Sequence, residues 1–178
     1  MNEDEREKYS PVKDEMYHLL LCAYCYVRKL DNLENRLRSE SREFLLEEIT
    51  ALRHLSNGII LHLCNLDDDS SKWSMRSLRK DLEKTSTFKN SRKASDLLGD
   101  YRNSLQKFKT KHRNLFIAHR NGEHYPDPFS LPDYRTEFKE LIGAALSTLE
   151  CLWGAELKFG FNLGSRDPTI NFREVLGF

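Results

Sequence analysis

The stretch RNLFIAHR, at positions 113–120, places an arginine and a histidine at the two ends of an apolar run. A neutral imidazole such as that of His119 can take a proton from a ribose 2′-hydroxyl or give one to a leaving 5′-oxygen. The guanidinium of Arg113 stays charged and matches phosphate with two parallel hydrogen bonds. Together they suffice for transesterification at a phosphodiester without a metal ion. Asn114 either adds a hydrogen-bond donor or caps the helix.

Helical geometry makes the pairing of these two groups demanding. Six residues turn an ideal helix by about 600°, so Arg113 and His119 point about 120° apart and lie about 9 Å apart along the axis. A long arginine side chain, a local helix distortion or a two-fold dimer with both copies lining one cleft would bring them together. His119 lies on an apolar stripe, which favours the dimer. Arg120, seven residues after Arg113, returns to its face and extends the phosphate clamp.

A basic segment surrounds this stretch. The formal net charge of the chain is zero, but residues 91–120 carry eight Lys and Arg and only two Asp. Such a local excess of positive charge attracts phosphate. The residues that we assign to the RNA backbone on this ground are Arg120, Lys107, Lys109 and Lys111. The alternative is a solvated helix face, with Arg113 and His119 as a charged rim around a core segment.

A second group of reactive side chains occurs near the N-terminus. His18, Cys22 and Cys25 are spaced to share one helical face, and His62 or Cys64 would complete a metal site. Packing is the favoured interpretation, because cysteine is a common small buried residue. We therefore expect no metal and no cofactor. The chain also lacks GxSxG, GxxxxGK[ST], GxGxxG and HExxH motifs. The sequence therefore gives no support for a classical hydrolase, a nucleotide-binding protein or a zincin metalloprotease.

The elements that must position these groups are helices. Few glycines and prolines among many Leu, Glu, Lys and Arg residues favour an all-α fold. Apolar spacing of three and four residues predicts a bundle of four long helices and one short one. These span about Asp14 to Arg38, Ser41 to Leu66, 74–84, Ser91 to Asn121, and from near 131–133 to Phe159. Ser39 or Ser41 caps the second helix, and Ser74 caps the short one.

The two ends of the chain show weaker patterns. We expect a flexible N-terminus over residues 1–12, a helical domain over 13–160 and an irregular tail over 161–178, with no strand-like alternation. No signal peptide and no apolar run of membrane-spanning length is visible. Four cysteines without regular spacing suit a reducing compartment. These features predict a cytoplasmic protein without a membrane partner.

Two stretches together resemble the HEPN superfamily. RNLFIAHR is similar to its R-N-x-x-x-x-H type motif near the end of a long helix, with Arg113, Asn114 and His119 at the motif positions. The stretch IILHLCNLDDDSSKWSMRSLRKDL, at 59–82, resembles the helix, acidic loop and serine-containing short helix of the abortive-infection AbiU-like branch. The resemblance spans roughly residues 40–160.

This resemblance implies an all-α homodimer in which the motifs of two protomers meet in a cleft. It implies a metal-independent endoribonuclease, acting as a toxin or in phage defence, whose product is a 2′,3′-cyclic phosphate. His119 would be the general acid and base, Arg113 would stabilise the phosphate in the transition state, and Asn114 would support the site.

The resemblance also leaves alternatives open. Family toxins controlled by a nucleotidyltransferase antitoxin often carry a tyrosine two residues after the histidine, where this chain has Asn121, and the nearest tyrosine is Tyr125. An antitoxin or regulatory partner of another kind is compatible with this difference. Some HEPN domains are inactive, so the alternative function is a helical dimer that binds a protein or a nucleic acid.

Overall fold

The computed structural model describes residues 3–84, 88, 90–108, 131–163 and 166–178 of the chain. Most of these residues are helical, as the sequence predicts. The helices are α1 (Glu3–Lys8), α2 (Ser10–Ser39), α3 (Arg42–Leu66), α4 (Met75–Glu83), α5 (Ser91–Phe108), α6 (Lys139–Trp153) and α7 (Phe172–Leu176). The strands are β1 (Gly160–Leu163) and β2 (Arg166–Asn171). Within the described ranges, no helix is both long and apolar enough to cross a lipid bilayer.

Helices α2 and α3 form an antiparallel pair joined by a two-residue turn. Ser41 caps α3, because its hydroxyl accepts a hydrogen bond from the backbone N–H of Phe44 at 3.2 Å. The predicted second helix is therefore confirmed, with Ser41 and not Ser39 as its cap. Leucines on the facing stripes are fully buried, and each contributes about 1.5–3 kcal/mol.

Helices α4 and α5 pack beside this pair. The Ser74 hydroxyl accepts from the backbone N–H of Ser77 at 3.3 Å and caps α4, as predicted. In α5, Tyr101 is fully buried and donates its hydroxyl to the Leu63 carbonyl at 2.6 Å, which ties α5 to α3. Helix α5 is described to Phe108, and the rest of the predicted helix to Asn121 lies outside the described residues.

Helix α6 is shorter than the sequence predicts. A π-helical turn, Tyr134–Phe138, leads into it, and it ends at Trp153. Gly154 follows with φ of 74° and donates its N–H to the Glu150 carbonyl, a left-handed helix end that favours glycine. The helical apolar spacing up to Phe159 continues past this end because the following segment also buries Leu157 and Phe159.

The expectation of an irregular C-terminal tail is corrected by the structure. Residues Gly160–Asn171 contain an antiparallel hairpin of β1 and β2, and α7 follows it. The strands are four and six residues long, too short for an alternating pattern to stand out. The tail packs on α2, where the Phe172 ring lies 5.6 Å from that of Tyr17 and 5.5 Å from that of Tyr24.

The expectation of a flexible N-terminus over 1–12 is also corrected. Residues 3–8 are helical, and Tyr9 and Val12 are buried in the core. The Tyr9 hydroxyl donates to the carboxylate of Asp81 in α4, which also accepts from the Lys8 ammonium at 2.7 Å. These two donors, with Lys84, hold the pKa of Asp81 well below its ordinary value, Lys8 being the largest cause.

Candidate functional site

The residues that the sequence predicts as catalytic are Arg113, Asn114 and His119, and all three lie outside the described residues. So do three of the predicted RNA-backbone residues, Arg120, Lys109 and Lys111. Lys107 lies within α5, but its side chain is outside the described part of the chain. The Arg113–His119 pairing therefore stays a prediction, and the described residues define what borders it.

Residues on both sides of the stretch 109–130 pack near the Phe138 ring. On one side, the Phe108 ring at the end of α5 lies 5.7 Å from the Phe138 ring. On the other, Tyr26 of α2 donates its hydroxyl to the Pro132 carbonyl at 2.6 Å and sets its ring 6.0 Å from that of Phe138. Burial raises the pKa of Tyr26 well above its ordinary value, so the hydroxyl remains a donor. These contacts fix the described residues on either side of the candidate stretch.

The start of the π-helical turn is fixed by its own cap. The Asp133 carboxylate accepts hydrogen bonds from the backbone N–H groups of Arg135 at 2.7 Å and Thr136 at 3.1 Å. A carboxylate at a helix N-terminus satisfies otherwise unpaired donors and matches the positive end of the helix dipole. The chain therefore enters the turn in a defined direction directly after the candidate stretch.

A cavity of about 550 Å³ opens beside this turn, between α2, the turn and α7. Its charged lining comprises two acids and two bases: Asp31, Asp133, Arg135 and Lys139. Because these charges balance, the cavity favours neither anions nor cations by charge alone.

Three of the described side chains that the sequence singled out, His18, Cys22 and His62, meet at a second place. With Glu15 and Asn65 they form what we call the α2–α3 seam. The Glu15 carboxylate lies 2.9 Å from Nδ1 of His62 and accepts from the Asn65 amide at 2.8 Å. The His18 and His62 rings stack with centroids 6.0 Å apart. Cys22 faces α3 at Gly58, where a methyl group on the glycine would approach the Cys22 sulfur to 3.4 Å.

The seam holds a charged imidazole. The hydrogen bond with Cys22, followed by that with Glu15, raises the pKa of His62 to about 9. Burial opposes ionisation of Glu15, but its hydrogen bonds with His62 and Asn65 outweigh burial and lower the pKa of the carboxyl. The seam is an electrostatic link between α2 and α3, made by Glu15 with His62 and Asn65.

The alternative of a metal site gains no support from this geometry. Cys64 is buried in the core, and burial raises the pKa of the Cys25 thiol above its ordinary value. No group of three or more His, Cys, Asp or Glu side chains within the described ranges is arranged to hold a metal ion.

Sequence reasoning placed His18 and Cys22 on one face and named His62 as their neighbour, but it missed Glu15 and Asn65. The signal was present, because Glu15, His18 and Cys22 are spaced by three and four residues and so share a face of α2. The histidines and cysteines alone suggest metal ligands, whereas the partnership of Glu15 with His62 depends on how two helices pack.

Comparison with known proteins adds no relative. No protein-family model, no curated protein and no solved structure matches this chain.

Proposed function

We propose that this protein is a metal-independent endoribonuclease of the HEPN type that works as a homodimer. In the proposed reaction, an imidazole of His119 takes the proton of a ribose 2′-hydroxyl and the 2′-oxygen bonds to phosphorus. The bond from phosphorus to the 5′-oxygen breaks, and the leaving oxygen gains a proton from an imidazolium. Arg113 stabilises the charge that develops on the phosphate. The product is a 2′,3′-cyclic phosphate and a free 5′-hydroxyl.

The observation that carries the proposal is the motif RNLFIAHR in a mostly helical chain. Arg113, Asn114 and His119 supply the phosphate clamp, the supporting amide and the proton carrier that such a reaction needs. Its setting gives support: the motif begins five residues after the end of α5 at Phe108, whose ring contacts Phe138. Pro132, after the stretch 109–130, accepts from Tyr26, whose ring also contacts Phe138. Anchored borders favour a reproducible active-site geometry.

The partners follow from the same proposal. RNA is the substrate, a second copy of the chain completes the cleft, and an antitoxin or other regulatory partner restrains the enzyme as a toxin or defence component. A dimer cleft would resolve the angle between Arg113 and His119 on one helix, because each protomer then supplies one group to the other.

The test is RNA cleavage and toxicity on expression, measured for wild type, Arg113→Ala and His119→Ala in parallel and in the presence of EDTA. We expect wild type to release fragments with cyclic phosphate ends and both variants to lose at least about 100-fold in rate. Matched controls are His54→Ala and Arg28→Ala, which remove an exposed histidine and an exposed arginine. Equal cleavage by all five proteins, or intact RNA with wild type, would reject the proposal.

Mixing the two inactive variants tests the dimer. If Arg113 and His119 act across the two-fold axis, a mixed dimer of Arg113→Ala and His119→Ala protomers contains one complete site and regains part of the activity. Sedimentation of each variant checks that both still dimerise. No recovery from a mixture that does form mixed dimers would place both groups in one protomer.

A second candidate function is a non-catalytic binding module, favoured by exposed leucines beside the α2–α3 turn. Leu37 is 53% and Leu46 60% exposed, and large exposed apolar side chains on neighbouring helix ends are a common feature of protein-binding surfaces. A cell-based function that survives His119→Ala but is lost in Leu37→Glu and Leu46→Glu would establish this second function in place of the first.

A further inference from the structure

A basic groove lies between α4 and α5, away from the predicted catalytic motif in sequence. Its volume is about 330 Å³, within the range of roughly 300–1,000 Å³ that ligand pockets occupy. Its described lining includes four bases: Arg76, Arg79 and Lys80 of α4 and Arg102 of α5. No carboxylate belongs to the lining of this groove as described. We call it the α4–α5 groove.

The amphipathic pattern of α4 creates this basic wall. Met75, Leu78 and Leu82 are buried against the core, so the positions between them turn outward. Arg79 and Lys80 occupy two of these positions. Because side chains three and four residues apart share a helix face, the bases of α4 form one continuous surface.

The acids around the groove neutralise its bases unevenly. Arg76 is committed to the protein: its Nε lies 3.3 Å from the fully buried carboxylate of Asp67, and its Nη1 pairs with Asp69. Asp69 also lies 3.5 Å from Arg102, and is therefore shared between two guanidinium groups. This inner layer is largely balanced.

The outer layer keeps an excess of positive charge. Arg79 donates from Nη1 to the Ser95 hydroxyl at 2.8 Å, and its closest carboxylate oxygen in the described chain, on Glu83, is 3.7 Å from Nε, beyond hydrogen-bonding distance. Lys80 is exposed and makes no ion pair with any residue in the described ranges. Arg102 is 44% exposed, and its described acidic partner, Asp69, lies 3.5 Å away and is shared with Arg76. These three bases can meet an external anion.

The wall contributed by α5 suits an extended anion. Gly99 lies in the lining, and a methyl group placed there would meet nothing within 4 Å, so the floor is open. Ser95 and Asn103 add neutral polar groups on either side of it. Arg102 lies six residues before Phe108, or about 9 Å along the helix axis. Beyond Phe108 the chain continues into Lys109 and Lys111 and reaches the motif.

We propose that the α4–α5 groove binds the phosphodiester backbone of single-stranded RNA through Arg79, Lys80 and Arg102. The inference rests on the proposed ribonuclease function for its ligand. Guanidinium and ammonium groups in a row contact successive phosphates without reading the bases. The groove thus supplies affinity that does not depend on sequence.

The test is RNA binding by a protein that does not cut, so that affinity is measured apart from cleavage. Every protein carries His119→Ala, and the probe is a short fluorescein-labelled oligouridylate followed by fluorescence anisotropy over a range of salt. The groove variant is Arg79→Gln, Lys80→Gln and Arg102→Gln, which retains Arg76 and its buried partner. The matched control is Arg28→Gln, Arg42→Gln and Lys158→Gln, an equal loss of charge at exposed positions outside the groove.

We expect the groove variant to bind at least about tenfold more weakly and its salt slope to fall by about 2, since each phosphate contact on a single strand contributes about 0.7. The control should change by less than about twofold. Equal weakening of both triple variants would mean that only net charge matters and would overturn the groove. Unchanged binding by the groove variant would overturn it as well, as would tight binding of inorganic phosphate without RNA binding.

A steric variant tests the same groove without changing its charge. Gly99→Phe fills the open floor, and helix propensity at this interior position improves, so loss of the fold is not expected. Weakened RNA binding by Gly99→Phe but not by Gly99→Ala supports the groove, and equal binding by both rejects it.

If wild type binds RNA through the groove but leaves it uncut, the ribonuclease proposal fails and the groove stands. If wild type cuts RNA but the groove substitutions leave binding unchanged in the His119→Ala background, and cleavage unchanged when His119 is present, the groove fails alone.

Discussion

The α2–α3 seam and the α4–α5 groove are both polar regions between two helices, yet their charges are arranged in opposite ways. In the seam, the charged pair is closely held: Glu15 accepts from both His62 and Asn65, at 2.9 and 2.8 Å. In the groove, Arg79 and Arg102 lie 3.7 and 3.5 Å from the nearest described carboxylates, which belong to Glu83 and Asp69.

This difference separates structure from binding. A charged pair that is half-buried and fully hydrogen-bonded contributes to stability and has little left for a ligand. Bases that are only loosely paired, such as the partly buried Arg79 and the exposed Lys80 and Arg102, contribute little to stability and retain donors for an anion. His18, Cys22 and His62, which looked reactive in the sequence, therefore belong to the structural region, whereas Arg79 and Lys80 of α4 belong to the region that we propose for binding.

The largest effect on stability is expected for Arg76, which lines the groove but pairs with the buried Asp67. Arg76→Met removes the cation 3.3 Å from the Asp67 carboxylate, whose residue is 1% exposed. We expect a loss of about 3 kcal/mol in the free energy of unfolding, measured by urea denaturation followed by circular dichroism. The control Lys80→Met should change it by less than about 0.5 kcal/mol. Similar losses in the free energy of unfolding for Arg76→Met and Lys80→Met would contradict the division of the groove into inner and outer layers.

The seam should make stability depend on pH. Folding raises the pKa of His62 to about 9, so its contribution is complete below the unfolded-state value of about 6.5 and is lost as pH rises through 9. We expect the free energy of unfolding to fall by on the order of 2 kcal/mol between these limits. The variant His62→Gln should show a flatter profile over the same window. A wild-type profile as flat as that of the variant would contradict the charged imidazole.

The two helix caps offer a smaller comparison between the regions. Ser74 caps α4 from a fully buried position, whereas Ser41 caps α3 at the surface. A buried cap cannot be replaced by water, so Ser74→Ala should cost about 1.5 kcal/mol and Ser41→Ala about 0.5 kcal/mol. Thermal unfolding of the two variants measures this, and a larger loss in Ser41→Ala would reverse the argument.

The smallest effect concerns the floor of the groove. Gly99 lies in the interior of α5 with open space beside it, so Gly99→Ala should stabilise the fold by about 0.8 kcal/mol. Gly177→Ala should do the opposite, because Gly177 has φ of 77° and a methyl group there would lie 2.8 Å from the Lys139 nitrogen. Melting temperatures that shift in the same direction for both variants would count against this description of α5.

Local patterns predicted the helices well. Leu52, Ile59 and Leu63 recur at helical spacing and are all fully buried in α3, and the serines at 41 and 74 cap the helices that follow them. Such signals lie within one turn of the residues they organise, so a single sequence contains them.

The ends of the chain depended on distant contacts and were not predictable in the same way. Tyr9 donates a hydrogen bond to Asp81, and the Phe172 ring packs against Tyr17 and Tyr24. These partners are far apart in the sequence, so no local pattern predicts them. The candidate groups show the same limit. Spacing placed His18 and Cys22 on one face, but the role of Glu15 depends on how α3 packs against α2. The groove depends on where α5 lies beside α4.

The hydrogen bond between Tyr9 and Asp81 also bears on the order in which the protein folds. It joins residues 72 positions apart, whereas the α2–α3 pair is closed by a two-residue turn. Short loops close faster and at lower entropic cost than long ones, so we expect the α2–α3 pair to form early and the docking of α4 to follow. The N-terminal segment thus binds, through Tyr9 and Asp81, to α4, the helix that forms one wall of the groove. We therefore expect a folding chain to form the α2–α3 seam before the α4–α5 groove.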